Sequence, residues 1–173
     1  RHGTEPADAQ LKRAVQTALA ESDGDVLVFL PGQREIAQAE RLLSGLPDNA
    51  PRGLAIVPLH GELALDEQNA VLAPDAAGRR RIVLATNVAE SSVTLPDVRA
   101  VVDSGLAREP RFDPNSGFSR LEVVTISQAS ADQRAGRAGR VAPGVCYRLW
   151  PQSQRLEAAR RPEISQVDLT GLL

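Results

Sequence analysis

Val26-Leu27-Val28-Phe29-Leu30-Pro31-Gly32 is the stretch on which the fold turns. Five apolar residues in a row have strand length and no polar alternation, so a strand here is covered on both faces, as in parallel sheets. Ser22-Asp23-Gly24-Asp25 supplies the turn before it. Pro31-Gly32 opens a helix after it, with Ile36, Ala39, Leu42 and Leu43 at the spacing of one helical face.

The same grammar extends in both directions. Residues 1–8, with His2, Gly3 and Pro6, read as an entering linker, and Leu11, Val15, Ala18 and Leu19 predict an amphipathic helix over about 8–22. Downstream come a strand at 54–59, a helix at about 65–73, and strands at 81–86, 98–102 and 145–150. Strand–helix alternation predicts an α/β sandwich around a mostly parallel sheet. Residues 106–126 break the pattern: Asp113-Pro114-Asn115-Ser116-Gly117 sits between two extended segments and predicts a protruding antiparallel hairpin. A helix at about 128–138 follows, and a weak helix is expected from Pro151 on. The apolar ending Val167-Asp168-Leu169-Thr170-Gly171-Leu172-Leu173 suggests the threshold of a further domain. The expected organisation is thus a linker at 1–8, one domain at 9–158, and the start of another at 159–173.

Composition narrows the class. At 173 residues, 42% apolar and 24% charged, the chain can bury one core. It lacks methionine, which suggests a piece of a longer polypeptide, and its formal charge of −2 neither favours nor opposes nucleic acid. No apolar run approaches the ~20 residues needed to span a bilayer, so the expectation is a soluble cytoplasmic protein with no membrane partner. The single Cys146 agrees with a reducing compartment. All basic residues but Lys12 are arginines, a bias that a GC-rich genome also produces.

Chemistry concentrates in Gln133-Arg134-Ala135-Gly136-Arg137-Ala138-Gly139-Arg140. At ~100° per residue, Gln133, Arg137 and Arg140 fall within about 60° of one another, while Arg134 points away. Four residues before Arg137 and Arg140 stand Gln133 and Gly136, so neither arginine has an acid one turn back. Two guanidiniums on one face suit an external anion, and planar arginines fit the spread charge of a transferring phosphoryl group. A solvated basic face or an RNA-backbone patch is the other reading. No G-x-x-x-x-G-K-[ST] loop occurs, and the Asp66-Glu67 pair reads as helix-start chemistry. Arginines without a phosphate loop or metal carboxylates describe a chain that completes another domain's active site.

These residues resemble a known family. Gln133–Arg140 is similar to motif VI of the DEAH-box RNA helicases of superfamily 2, and residues 85–94 resemble their motif V. Residues 28–36 resemble motif IV, and Pro58-Leu59-His60-Gly61 the short motif after it. Val102-Asp103-Ser104-Gly105-Leu106, leading to Arg111-Phe112-Asp113-Pro114, is most similar to the bacterial HrpB subgroup. The resemblance implies a RecA-like second motor lobe that works against a first RecA-like lobe on ATP, with Mg2+ held by that first lobe. It implies Gln133, Arg137 and Arg140 at the γ-phosphate and attacking water, and Ser92 beside that water. Single-stranded or partly duplex RNA would meet Thr86 and Asn87, while the 106–126 hairpin, with Arg108, Arg111 and Arg120, would separate strands.

The sequence departs from the family in places. Where relatives stack an aromatic ring on the adenine this chain has Leu72, and the ribose-contacting aspartate is replaced by Pro96 followed by Asp97. Leucine offers no π-stacking, so base binding is expected to be weak and unselective. His60 reads as a packing or loop histidine rather than a catalyst. Phe112 and Phe118 fit either stacking on a base or packing the hairpin onto its own domain. Two rivals remain in view: an RNA-binding module without catalysis, and a phosphatase using Cys146. The second needs an arginine six residues on, where Gln152 stands, and Cys146 lies in an apolar strand.

Overall fold

A computed structural model describes residues 6–46, 53–91, 93–139 and 144–159. Helix α1 (Ala7–Glu21) starts after Pro6, carries Asp8 in its first turn, and ends where Ser22 N–H and Oγ both donate to Ala18 O. Strand β1 (Asp25–Phe29) is buried along its whole length. Then follow α2 (Gln33–Leu43), β2 (Leu54–Leu59), α3 (Leu65–Leu72) and β3 (Arg80–Ala85). The short α4 (Val88–Ser91) leads to β4 (Val98–Asp103) and to the hairpin strands β5 (Leu106–Phe112) and β6 (Ser119–Thr125). Helix α5 (Gln128–Ala135), a 3-10 turn (Gly136–Gly139) and β7 (Val145–Arg148) complete the described chain.

Five strands form one sheet in the order β2-β3-β1-β4-β7, and every pairing in it is parallel. Strand β1 sits at the centre, with Val28 beside Leu84 on one side and Val102 on the other. Its side chains alternate between two cores. Val26 and Val28 join Ile82, Leu84, Ala100 and Val102 beneath Leu11, Val15 and Ala18 of α1 and Ile36, Ala39 and Leu43 of α2. Leu27 and Phe29 join Val83, Ala85 and Val101 on the opposite face, under Val71, Ala89 and Ala138. A period of two thus divides one apolar run between two helical layers. The expected α/β sandwich with a projecting antiparallel hairpin is the fold observed.

The differences lie at element ends. Strand β7 stops at Arg148, short of the expected 150, because pairing with β4 ends at Asp103 and Pro151 follows closely. Residues 151–159 hold no helix, against expectation, and residues 160–173 lie outside the described residues, as does most of the expected linker. Helix α5 ends at Ala135 rather than near 138: Gly136 has poor α-helical propensity, and the chain tightens into a 3-10 turn.

The N-terminal edge of the sheet is fastened by arginines. Arg81, 5% exposed, pairs its Nε with Asp25 Oδ2 at 3.1 Å and donates through Nη1 to Val71 O at 2.6 Å and Ala73 O at 2.9 Å. Arg80 donates Nε to Gly24 O at 2.6 Å and Nη1 to Leu19 O at 2.9 Å, and it also reaches Ser22 O. These bonds tie α1, α3 and the β1 entry to one strand. Removing one partner of a buried pair leaves an uncompensated charge, at a cost of about 3–5 kcal/mol. Arg81→Met should therefore lower denaturant stability by that amount, and Asp25→Leu added to it should recover part of the loss. Equal stability of the single variant and wild type in urea unfolding would mean the pair contributes nothing.

Candidate functional site

Parallel strands deliver their loops to a common edge, and open α/β sheets bind ligands beyond the carboxyl ends of their strands. Here that edge holds the resembling motifs at Pro31-Gly32, His60-Gly61, Thr86-Asn87 and Ser104-Gly105. Main-chain bonds carry the sheet to its last residue: Leu30 N–H donates to Ala85 O at 2.8 Å, Thr86 to Leu59 O at 3.2 Å, and Ser104 to Phe29 O at 3.2 Å. Thr86 is half-buried and Asn87 exposed, and their carbonyls accept from Ala89 and Glu90 to start α4. Both residues thus sit on a platform at the edge, between the end of β3 and α4.

Behind that platform lies a residue the sequence reading pointed away from the site. Arg134 is fully buried. Its Nη1 donates to Asp103 Oδ1 at 2.8 Å, its Nε to Glu90 Oε1 at 3.1 Å, and its Nη2 to Leu106 O at 3.2 Å. The guanidinium also lies 4.7 Å from the centre of the Phe29 ring, within cation–π range. A strand end, helix α4, the root of the hairpin and α5 are therefore joined at one charge.

Asp103 has no exposure, and its Oδ1 accepts a second bond from Gly105 N–H at 2.8 Å. Burial pushes its carboxyl above the usual carboxylate range, against the opposing pull of Arg134 and the Gly105 N–H. Gly105 turns at φ +79°, and a Cβ there would stand 2.6 Å from the Trp150 ring, so only glycine fits. The sequence did carry a signal for this cluster. An aspartate that ends the strand Val98–Asp103, once buried there, needs hydrogen-bond donors or a cation.

Arg137 is half-buried on the 3-10 turn. Its Nε donates to Glu90 O at 2.8 Å and its Nη1 to Val93 O at 3.0 Å. Two main-chain carbonyls flanking position 92 thus orient the guanidinium without bringing it a countercharge. Gln133 is exposed, in keeping with the expected split from Arg134, but the wheel that grouped it with Arg137 assumed continuous α-helix. Arg140 and Ser92 lie outside the described residues.

The other candidates are distributed over both edges. Leu72, half-buried at the C-terminal end of α3, packs on the same core cluster as Leu95 and Ala138, so it shares a sheet face with the arginine turn. Asp97 is exposed at the entry to β4, where its carbonyl accepts from Asp25 N–H at 2.9 Å. His60 Nδ1 accepts from Glu62 N–H at 3.3 Å, as befits a loop histidine. Burial pushes the Cys146 thiol up to about 11, which keeps it protonated and inert at neutral pH.

The hairpin arginines all meet carboxylates. Arg108 Nη2 lies 3.4 Å from Glu35 Oε1, crossing over Gly32, where any Cβ would collide with its Nε. Arg111 and Arg120 reach Glu122 at 3.7 Å and 3.2 Å. Phe112 and Phe118 are 51% and 75% exposed, so neither packs the hairpin onto its own domain. Leu121 and Val123 are exposed beside them, and Phe112, Leu121 and Val123 share one face of the ribbon.

Comparison with known proteins agrees with this architecture. The family profile described as "Helicase conserved C-terminal domain" matches residues 9–142. The chain is 42% identical over 174 residues to the ATP-dependent RNA helicase HrpB of Escherichia coli, which covers 97% of this chain and 21% of that protein. It is 40% identical over 171 residues to the pre-mRNA-splicing factor ATP-dependent RNA helicase DEAH10 of Arabidopsis thaliana, covering 96% of this chain and 24% of that protein. A crystal structure of the E. coli DExH-box NTPase HrpB superposes with a TM-score of 0.83 at 40% identity, over 98% of this chain and 21% of that one. The chain thus spans about a fifth to a quarter of the length of these relatives. Among the described residues no helix is long and apolar enough to cross a membrane. With its family profile, its parallel sheet and hairpin, and these relatives all in agreement, the chain belongs to the helicase conserved C-terminal domain family, in the RecA-like form found in DEAH-box RNA helicases.

Proposed function

We propose that this chain is the second motor lobe of an ATP-dependent RNA helicase, supplying arginines to a nucleotide site shared with a first lobe. The observation that carries the reading is Arg137, aimed by Glu90 O and Val93 O on the connection that follows Thr86-Asn87. A guanidinium already fixed by two carbonyls loses little freedom when it meets a phosphoryl group, so its charge acts on the transition state without reorganisation. Arg140 and Gln133 complete the set, and Ser92 lies on the segment that Arg137 grips. Leu72 and Asp97 provide an apolar and a polar surface toward base and sugar, without a stacking ring. The first lobe contributes the phosphate loop and the carboxylates for Mg2+.

RNA is assigned to Thr86 and Asn87, whose position beyond a parallel strand suits phosphate binding. Arg111 and Arg120 add to this track once phosphates compete with their shared carboxylate partner, while Arg108 stays with Glu35 at the base of the hairpin. Exposed pairs of this kind are worth only about 0–1 kcal/mol, so the exchange costs little. Phe112 and Phe118 are free to stack on bases at a duplex junction, worth ~1–3 kcal/mol per base.

Three outcomes are expected. In the full-length parent, Arg137→Ala or Arg140→Ala lowers kcat for ATP by ~10³ or more with a much smaller change in KM; normal kcat in both variants sinks the arginine-finger reading. The purified chain alone hydrolyses no ATP, and turnover that survives removal of contaminating ATPases would contradict this. Replacing 112–118 by a Gly-Ser turn in the parent preserves single-strand-stimulated ATPase while duplex unwinding collapses. Loss of both together would show that the hairpin does not act as a wedge.

A further inference from the structure

We infer that Arg134 is a positioning residue that couples RNA engagement to Arg137 through Glu90. The inference rests on the proposed role of Arg137 and adds a device to it. Glu90 is gripped twice: its carboxylate takes Arg134 Nε at 3.1 Å, and its main-chain carbonyl takes Arg137 Nε at 2.8 Å. It belongs to α4, a helix of four residues whose first turn is closed by the Thr86 and Asn87 carbonyls. A helix that short has no stability of its own and keeps its shape through these bonds. Any shift imposed on Thr86 and Asn87 by a bound strand therefore reaches the Glu90 carbonyl, and with it the guanidinium of Arg137.

Arg134 sets the reference for that movement. Its Nη1 is anchored at 2.8 Å to Asp103, which has no exposure and ends a strand in the middle of the sheet. Its third donor holds Leu106 O at the root of the hairpin. One planar group thus fixes α4 to the sheet, and lysine, a point charge, cannot span the three acceptors. Misplacement of a catalytic group by about 1 Å can cost 10²-fold in rate, so the Glu90 carbonyl must be held closely for Arg137 to act.

The test uses the full-length parent enzyme, with steady-state ATPase measured with and without single-stranded RNA. Arg134→Lys keeps a cation for Asp103 while giving up the fork, and Glu90→Ala removes the carboxylate while keeping the main-chain carbonyl. Each should lower RNA-stimulated kcat by about tenfold, within the usual range of coupling between sites. KM for ATP should stay near wild type, the thermal midpoint should fall yet leave the protein folded at the assay temperature, and kcat of the double variant should be no lower than that of either single one. Arg137→Ala serves as the reference. If it loses kcat while both other variants keep full RNA stimulation, the coupling role is overturned and the finger survives. If Arg137→Ala keeps full kcat, the finger reading itself has failed. A loss of activity in Arg134→Lys that merely follows the fraction of unfolded protein overturns the inference too, because it marks Arg134 as structural only.

Discussion

A guanidinium removed from water is tolerable only where its donors find acceptors already in place, and Arg134 finds them on a strand end, a helix and a hairpin root. The desolvation of that charge, several kcal/mol when unmet, makes the junction all-or-none. Either Asp103, Glu90 and Leu106 O are all in register with α5, or the arginine cannot be buried. The same requirement fixes Gly105, whose positive φ turns the chain so that its N–H shares Asp103 Oδ1 and the hairpin leaves the sheet at that point. Phe29, from the central strand, closes the site with the face of its ring.

The sheet makes this junction a fixed point. Its two edges are tied down by different chemistry. At the N-terminal edge Arg80 and Arg81 hold helix ends and turns through main-chain carbonyls, and at the C-terminal edge the loops are held by ladder bonds continuing past the strands. With both edges secured, the elements left to respond to a ligand are the short ones: α4, the 3-10 turn and the hairpin. These also carry, or directly adjoin, Thr86, Asn87 and Arg137.

The sheet was legible because its strands are apolar runs bounded by turn residues, a pattern with few alternative explanations at Val26–Leu30 or Arg81–Ala85. Thr86-Asn87 and the arginine octet were legible as motifs. Within the octet the helical wheel separated Arg134 from Gln133, as the structure has them, but it could not show the contacts made: Gly136 ends the α-helix, and the tighter turn carries Arg137 to the Glu90 and Val93 carbonyls. Arg134 looked peripheral for a related reason. Nothing in the linear sequence announces that an aspartate 31 positions earlier is its partner, although a buried Asp at the end of an apolar strand poses the question. The hairpin pairs were hidden until the register was known: Arg111 faces Arg120 and Glu109 faces Glu122, so the acid lies diagonally from the base it neutralises.

That register changes what the hairpin can be. From Leu106 to Thr125 it carries Arg108, Arg111 and Arg120 against Glu109, Asp113 and Glu122, so its formal charge is zero. A neutral ribbon releases few counterions on meeting RNA, and long-range attraction to phosphate is correspondingly small. The charged residues Glu109, Arg111, Arg120 and Glu122 occupy one face in cross-strand pairs, while Pro110, Phe112, Leu121 and Val123 occupy the other. Arg108, on the apolar face, is drawn to Glu35 and so fastens the base of the ribbon to α2 rather than arming its tip. What the outer half then offers to a nucleic acid is surface that stacks and excludes water, with binding strength supplied elsewhere along the edge. A wedge needs this division of labour. For the proposed wedge, an element that gripped phosphates strongly would resist the strand's passage, whereas a ribbon of no net charge with one apolar face and a fastened base would not.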